Sequence, residues 1–130
     1  MMKRTDRERG AVALEMALVL PVLLLILVGI LEFGRVMNVQ VSLTQAAREG
    51  ARHAAIHYDD GTLNLPGAAL AAAPALDGLP VTVDDDADAC GPGLWVEVTT
   101  SVSLPSMTGF LDAGLFPLDL EGIAVMQCGG

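Results

Sequence analysis

Hydrophobic and polar positions divide the chain into three stretches. Residues 11–31 read AVALEMALVLPVLLLILVGIL, with Glu15 as the one charge. A run of this kind has no polar face to offer water. At 1.5 Å per residue it forms a helix about 31 Å long, which matches the hydrocarbon thickness of a bilayer. From Val36 the pattern becomes amphipathic. Val36, Val39, Leu43, Ala47, Gly50 or Ala51, and Ala54 follow 3/4 spacing on one face, while Gln40, Gln45, Arg48, Glu49 and Arg52 lie mostly elsewhere. No proline interrupts this second stretch, so one continuous helix is predicted over 11–58, transmembrane at 11–31 and amphipathic at 32–58. Asp59-Asp60-Gly61 is the expected stop, with Gly61 free to take the left-handed conformation after the last turn. After Ala46 the apolar stripe narrows to Ala and Gly, and small side chains permit close approach either to another helix or to the chain's own sheet, the expected role.

The third stretch, 59–130, changes period again. Pro66 can open a short Ala-rich helix over 67–76, interrupted at Pro74. Val81-Thr82-Val83 predicts a strand. Residues 94–104 set Leu94, Val96 and Val98 against Trp95, Glu97 and Thr99, the period-2 alternation of a half-buried strand. Residues 105–117 carry two prolines and two glycines and predict a loop with one helical turn at 106–111. Residues 118–127 predict the third strand. The expected fold class is α+β, a long N-terminal helix packed on a small antiparallel sheet. The expected organisation is a basic leader over 1–10, the helix over 11–58 and an α+β domain over 59–130.

Charge adds a direction. The net charge is −9, yet all seven Lys and Arg lie in the first 52 positions, and from His53 onward there are eleven acids and no Lys or Arg. Such an acidic half repels phosphate backbones, which argues against nucleic acid as a partner. Lys3, Arg4, Arg7 and Arg9 precede the apolar run against Asp6 and Glu8, whereas Glu32 and Arg35 balance beyond it. The positive-inside rule then places 1–10 in the cytoplasm and the bulk of the chain in the periplasm of a bacterial-type inner membrane. A cleaved secretory signal would have a shorter apolar core and an A-x-A-like site, and no such site follows at the usual distance, so the anchor is expected to stay.

Few residues carry candidate chemistry. Glu15 lies one turn inside the cytoplasmic edge of the span; an acid at a bilayer centre costs about 2.5–3.5 kcal/mol, so acids in such segments usually have a partner or a task. Pro21 lacks an N–H and is expected to kink the span. Cys90 and Cys128 both fall outside the membrane, where disulfides persist; an intramolecular bridge is the expected reading, with an intermolecular bridge or free thiols as alternatives. Such a staple would help a domain whose core is small. His53 and His57 share a helix face at a zinc-compatible spacing, but Ala54 stands where a zinc protease carries Glu. Asp84, Asp86 and Asp88 have a calcium-loop rhythm that fails the EF-hand template at Ala89 and Trp95, so a solvated loop is the ordinary reading. No G-x-S-x-G, P-loop or Cys–His nucleophile arrangement occurs; neither enzymatic activity nor a cofactor or metal is expected.

The basic leader ending in Gly10, the apolar helix beginning at Ala11 and the acid at its fifth position resemble the class III signal of type IV pilins and pseudopilins. The stretch RGAVALEMALVLPVLLLILVGILEFGR, continued by LTQAAREGARHAA, resembles the TadE-like family, minor pseudopilins of the tight adherence (Tad/Flp) pilus machinery, over about residues 9–55. The resemblance implies a pilin-like fold and cleavage by a prepilin peptidase between Gly10 and Ala11. It further implies that Glu15 pairs, within the membrane, with the new α-amino group of a neighbouring subunit. That amine has an intrinsic pKa of about 7.7–8.0 and is largely cationic at neutral pH. In low dielectric each of the two charges would be costly alone. In major Flp pilins a Tyr commonly follows this Glu; here it is Met16, which with the large C-terminal domain points to a minor component. Implied partners are other pseudopilins, the pilus assembly machinery, the peptidase and the lipid bilayer. Two other readings stay open: an uncleaved single-pass binding module holding calcium at the Asp cluster, and a membrane-tethered metalloenzyme using His53 and His57.

Overall fold

The computed structural model describes residues 3–59, 61, 63–109, 111–112 and 114–129. Met1 and Met2 of the leader, Asp60 of the expected helix stop, Phe110 of the expected helical turn and Gly130 at the end of the C-terminal domain lie outside the described residues. The elements in order are α1 (Lys3–His57), α2 (Leu65–Ala71), β1 (Thr82–Asp85), β2 (Trp95–Leu104) and β3 (Leu118–Gln127), with 3-10 turns at Pro74–Leu76 and Ala87–Ala89. The chain divides into two compact units, Met1–Gly34 and Arg35–Gly130.

In the first unit, α1 begins eight positions before the expected start at Ala11. Lys, Arg and Glu are good helix formers, and the single Gly10 costs only about 1 kcal/mol against Ala, so helix propensity carries through the basic segment. The separately read leader is thus helical from Lys3. Pro21 also lies within α1.

In the second unit the remainder of α1 covers one face of a three-stranded antiparallel sheet of order β1-β2-β3. The helix contributes Val39, Leu43, Ala46, Ala47, Ala51, Ala54 and Ala55, and the sheet answers with Val96, Val98, Val102, Leu104 and Ala124. The α+β expectation and the role of the Ala/Gly stripe both hold. At Gly122 in β3 an added Cβ would sit 2.6 Å from the carbonyl carbon of Leu43, so the helix main chain rests directly on the strand. Beside it the buried Thr100 hydroxyl donates to Leu43 O at 2.9 Å and reaches Gly122 O at 3.3 Å, which satisfies a polar group placed in the core. Gln40 Nε2 donates to Glu121 O at 2.7 Å, Arg35 Nη1 to Pro105 O at 2.8 Å, and Gly129 N–H to Ala55 O at 3.0 Å. These bonds spread along the helix and hold it in register with the sheet.

Strand boundaries follow the partners available. β2 starts at Trp95, and Leu94, expected on the buried face, is 55% exposed in the turn before it, donating its N–H to Gly91 O. β1 was expected at 81–83 but runs from Thr82 to Asp85, because Ser101 to Val98 of β2 offer four successive partners. β3 matches its expected range at both ends. The helix expected at 67–76 instead begins at Leu65 and stops at Ala71: Asn64 Oδ1 accepts from Gly67 N–H at 3.1 Å and caps it two residues early. Of the helical turn expected at 106–111, the described residues 106–109 form a bend instead, in which Ser106 Oγ accepts from Gly109 N–H at 2.8 Å.

Candidate functional site

Every residue from 11 to 31 except Val28 is exposed, including Val12 at 65%, Leu18 at 68% and Ile30 at 64%. In water such a surface would collapse or associate, since soluble proteins seldom expose contiguous apolar patches beyond a few hundred Å². The helix is long and apolar enough to cross a membrane, and it lies near the N-terminus. Membrane anchoring accounts for both the length and the uniformity of this surface.

Gly10 and Ala11 lie on exposed, uninterrupted helix. Glu15 is one turn further on, also exposed. Four residues at 1.5 Å put Ala11 and Glu15 about 6 Å apart along the axis and on one face. That face also carries Leu18, Val19 and Val22. The acid is therefore the polar point on a lateral surface that otherwise offers only aliphatic contact.

The other candidates sort differently. Cys90, in the connection between β1 and β2, and Cys128, just past β3, are joined in a disulfide with Cα atoms 5.8 Å apart. The backbone around the bridge is tied as well: Cys128 N–H donates to Leu94 O at 2.8 Å, and Gly93 N–H donates to Cys128 O at 3.3 Å. The bridge thus fastens the β1–β2 connection to the end of β3. His53 and His57 share a face as their spacing required, with rings stacked 4.3 Å apart. His57 Nδ1 lies 3.0 Å from His53 O, and the buried Nδ1 of His53 meets no hydrogen-bond partner among the described residues. Among the described residues no group of three or more His, Cys, Asp or Glu is arranged to hold a metal.

The Asp run has a local structural task. Asp86 Oδ1 accepts from Glu97 N–H at 2.6 Å while Asp86 N–H donates to Glu97 O at 3.3 Å, so the side chain supplies one more rung beyond the β1–β2 ladder. Asp85 Oδ1 accepts from Ala87 N–H at 3.0 Å and shapes the following turn. Of the four carboxylates Asp84, Asp85, Asp86 and Asp88, two are thus spent on the backbone of the connection. Sequence reasoning did not single out Thr100 or Gly122, which set the helix-to-sheet distance. A glycine inside an alternating strand is itself a signal of close backbone approach.

Comparison with known proteins agrees with the N-terminal pattern. The model of the TadE-like protein family matches residues 10–52, the segment that contains Gly10, Ala11, Glu15 and most of the amphipathic stripe. No curated protein and no solved structure is significantly similar to the chain.

Proposed function

From the match of residues 10–52 to the TadE-like family, we propose that the chain is a minor pseudopilin that takes part in assembling a tight adherence (Flp, type IV-like) pilus. It is held in the bacterial inner membrane by residues 11–31, with its basic end in the cytoplasm and the unit Arg35–Gly130 in the periplasm. Prepilin peptidase cuts after Gly10. The new amine of Ala11 is then paired by a Glu15 carboxylate from an adjacent subunit, and this pairing sets the stagger between neighbouring helices. The role is structural, with no reaction of its own.

One observation carries this reading: an acid at the fifth position after Gly10 is the single charge in a 31 Å apolar helix, inside the region matched to the family. A buried charge without a partner is costly, and a partner of opposite sign from a neighbour offsets that cost only when the two helices are in register. Glu15→Gln keeps the shape and removes the charge. In the producing strain it should abolish surface pili and subunit crosslinks while leaving the protein in the membrane. Normal piliation of that variant would refute the pairing role. Mass spectrometry of the membrane-extracted protein should show Ala11 as the N-terminus, and an intact Met1 in a strain with active peptidase would rule out the cleavage.

A further inference from the structure

The outer face of the sheet, turned away from α1, is the surface left unexplained by the anchor and the core. Solvated strand faces are normally polar, yet this one carries Trp95, Ile123 and Val125 at 61%, 52% and 51% exposure. The register makes them one patch: Glu97 pairs with Val125, Thr99 pairs with Ile123 on one side and Asp84 on the other, and Trp95 lies one step beyond. The charges on this face, Asp84, Glu97, Asp119 and Glu121, are all acidic and exposed.

The opposite side of the same unit has the complementary character. From position 35 onward the basic residues are Arg35, Arg48 and Arg52, all on α1. Arg35 is engaged with Pro105, whereas Arg48 and Arg52 are exposed. At 100° per residue Met37, Val41, Arg48, Arg52 and Ile56 fall within one stripe on the helix side away from the sheet. Met37, Val41 and Ile56 are 44%, 56% and 55% exposed. Arg52 has a local partner in Glu49 at 3.3 Å, but an exposed pair of this kind is weak and readily exchanged. One side of the unit is thus aliphatic with Arg48, Arg52 and the Glu49 that pairs with Arg52, and the other is aliphatic and aromatic with four carboxylates.

We propose that this is a front-to-back interface between copies of the chain: the exposed helix stripe of one seats on the outer sheet face of the next. Arg52 and Arg48 meet Glu97 and Glu121, their aliphatic stems lie over Val125 and Ile123, and Ile56 covers Trp95. Because the two surfaces differ, the contact is heterologous and can repeat along a row rather than closing as a dimer. Confinement of the copies to one membrane raises their effective concentration, so a modest patch suffices. The inference deepens the pseudopilin reading and rests on it for the claim that copies meet in the membrane.

The test uses the full chain in native membranes, with a photoreactive phenylalanine analogue introduced at Val125. Irradiation should give adducts at multiples of the chain mass, with the linked peptide inside residues 37–56. Arg48→Glu with Arg52→Glu should cut adduct yield at least about tenfold, since like charges then face one another. Adding Glu97→Arg and Glu121→Arg to the same chain reverses both surfaces and should restore the yield. Formation of the Cys90–Cys128 bridge on a non-reducing gel checks that each variant folds. Adducts to a different protein, adducts joining sheet to sheet, or failure of the fourfold reversal to restore yield would each overturn the interface. Glu15→Gln in the same strain separates the two ideas. Adducts in the helix stripe together with normal pili in that variant sink the assembly reading alone; pili lost with Val125 crosslinked elsewhere sinks the interface alone.

Discussion

Replacing Gly122 by Ala tests the closest approach in the fold. The new Cβ would lie 2.6 Å from the carbonyl carbon of Leu43, 2.7 Å from its oxygen and 2.7 Å from Thr44 N. Comfortable carbon contacts are about 3.5–4.0 Å, and the offended atoms belong to the helix backbone, so α1 must retreat by about 1 Å. Overpacking of this kind costs about 1–3 kcal/mol. The retreat also stretches the 2.9 Å bond from Thr100 Oγ1 to Leu43 O, which contributes about 0.5–1.5 kcal/mol. Against this, a strand residue gains about 0.5–1 kcal/mol when Gly becomes Ala. The net loss is about 2–3 kcal/mol. Gly50→Ala is the matched control. Its Cβ would meet only side-chain atoms, of Val98, Leu65 and Ala69, at 3.1, 3.2 and 3.4 Å. The Val98 and Leu65 methyls can shift, the Ala69 contact is ordinary, and helix propensity gains about 1 kcal/mol, so the change should be near neutral. Pulse proteolysis of the full chain in detergent, disulfide intact, across a urea series reads both. With a slope of about 1–3 kcal/mol per M, Gly122→Ala should lower the midpoint by about 0.7–3 M. An unchanged midpoint for Gly122→Ala, or an equal loss for Gly50→Ala, would refute the backbone-contact argument.

Further expectations use the same assay. Thr100→Val keeps the shape of a fully buried residue but removes its bond to Leu43 O, and should cost about 1 kcal/mol; a stabilised variant would show that the hydroxyl is not needed. Reducing the Cys90–Cys128 bridge releases a loop of 38 residues, which in the chain-entropy description costs about 4 kcal/mol. The urea midpoint should fall well below that of the oxidised chain, and equal midpoints would contradict the staple role. Leu43→Ala, at a site with no exposure, should cost about 2–5 kcal/mol. Val41→Ala, 56% exposed two residues away, should change stability by under about 0.5 kcal/mol. Similar losses for the two would contradict the assigned helix face.

Much of this architecture was legible because helix and strand periods are local. The 3/4 spacing through Val39, Leu43, Ala47 and Ala54 identified the face that became buried, and alternation over 118–127 located β3 at both ends. The errors fell where a partner decides. β1 extends to Asp85 because β2 continues opposite it, and the carboxylate of Asp86 adds a further rung that no propensity encodes. Leu94 fitted the alternation but lies outside the strand, held in a turn by Gly91 and Cys128. For the functional segment, Glu15 was readable at once, since a lone acid in an apolar run needs no tertiary information to stand out.

The span from Ala11, its acid at the fifth position and the amphipathic helix beyond it were determined by the sequence by itself. Each is a property of neighbours within a few turns, set by hydropathy and by the 3.6-residue period. Only the tertiary structure decided that Cys90 meets Cys128, that Gly122 admits the helix backbone, and that Trp95, Ile123 and Val125 form one patch on the side α1 leaves open. Those outcomes join positions distant along the chain. They depend on which surfaces come together once the entropy of closing the intervening loops has been overcome, and no local pattern records that choice.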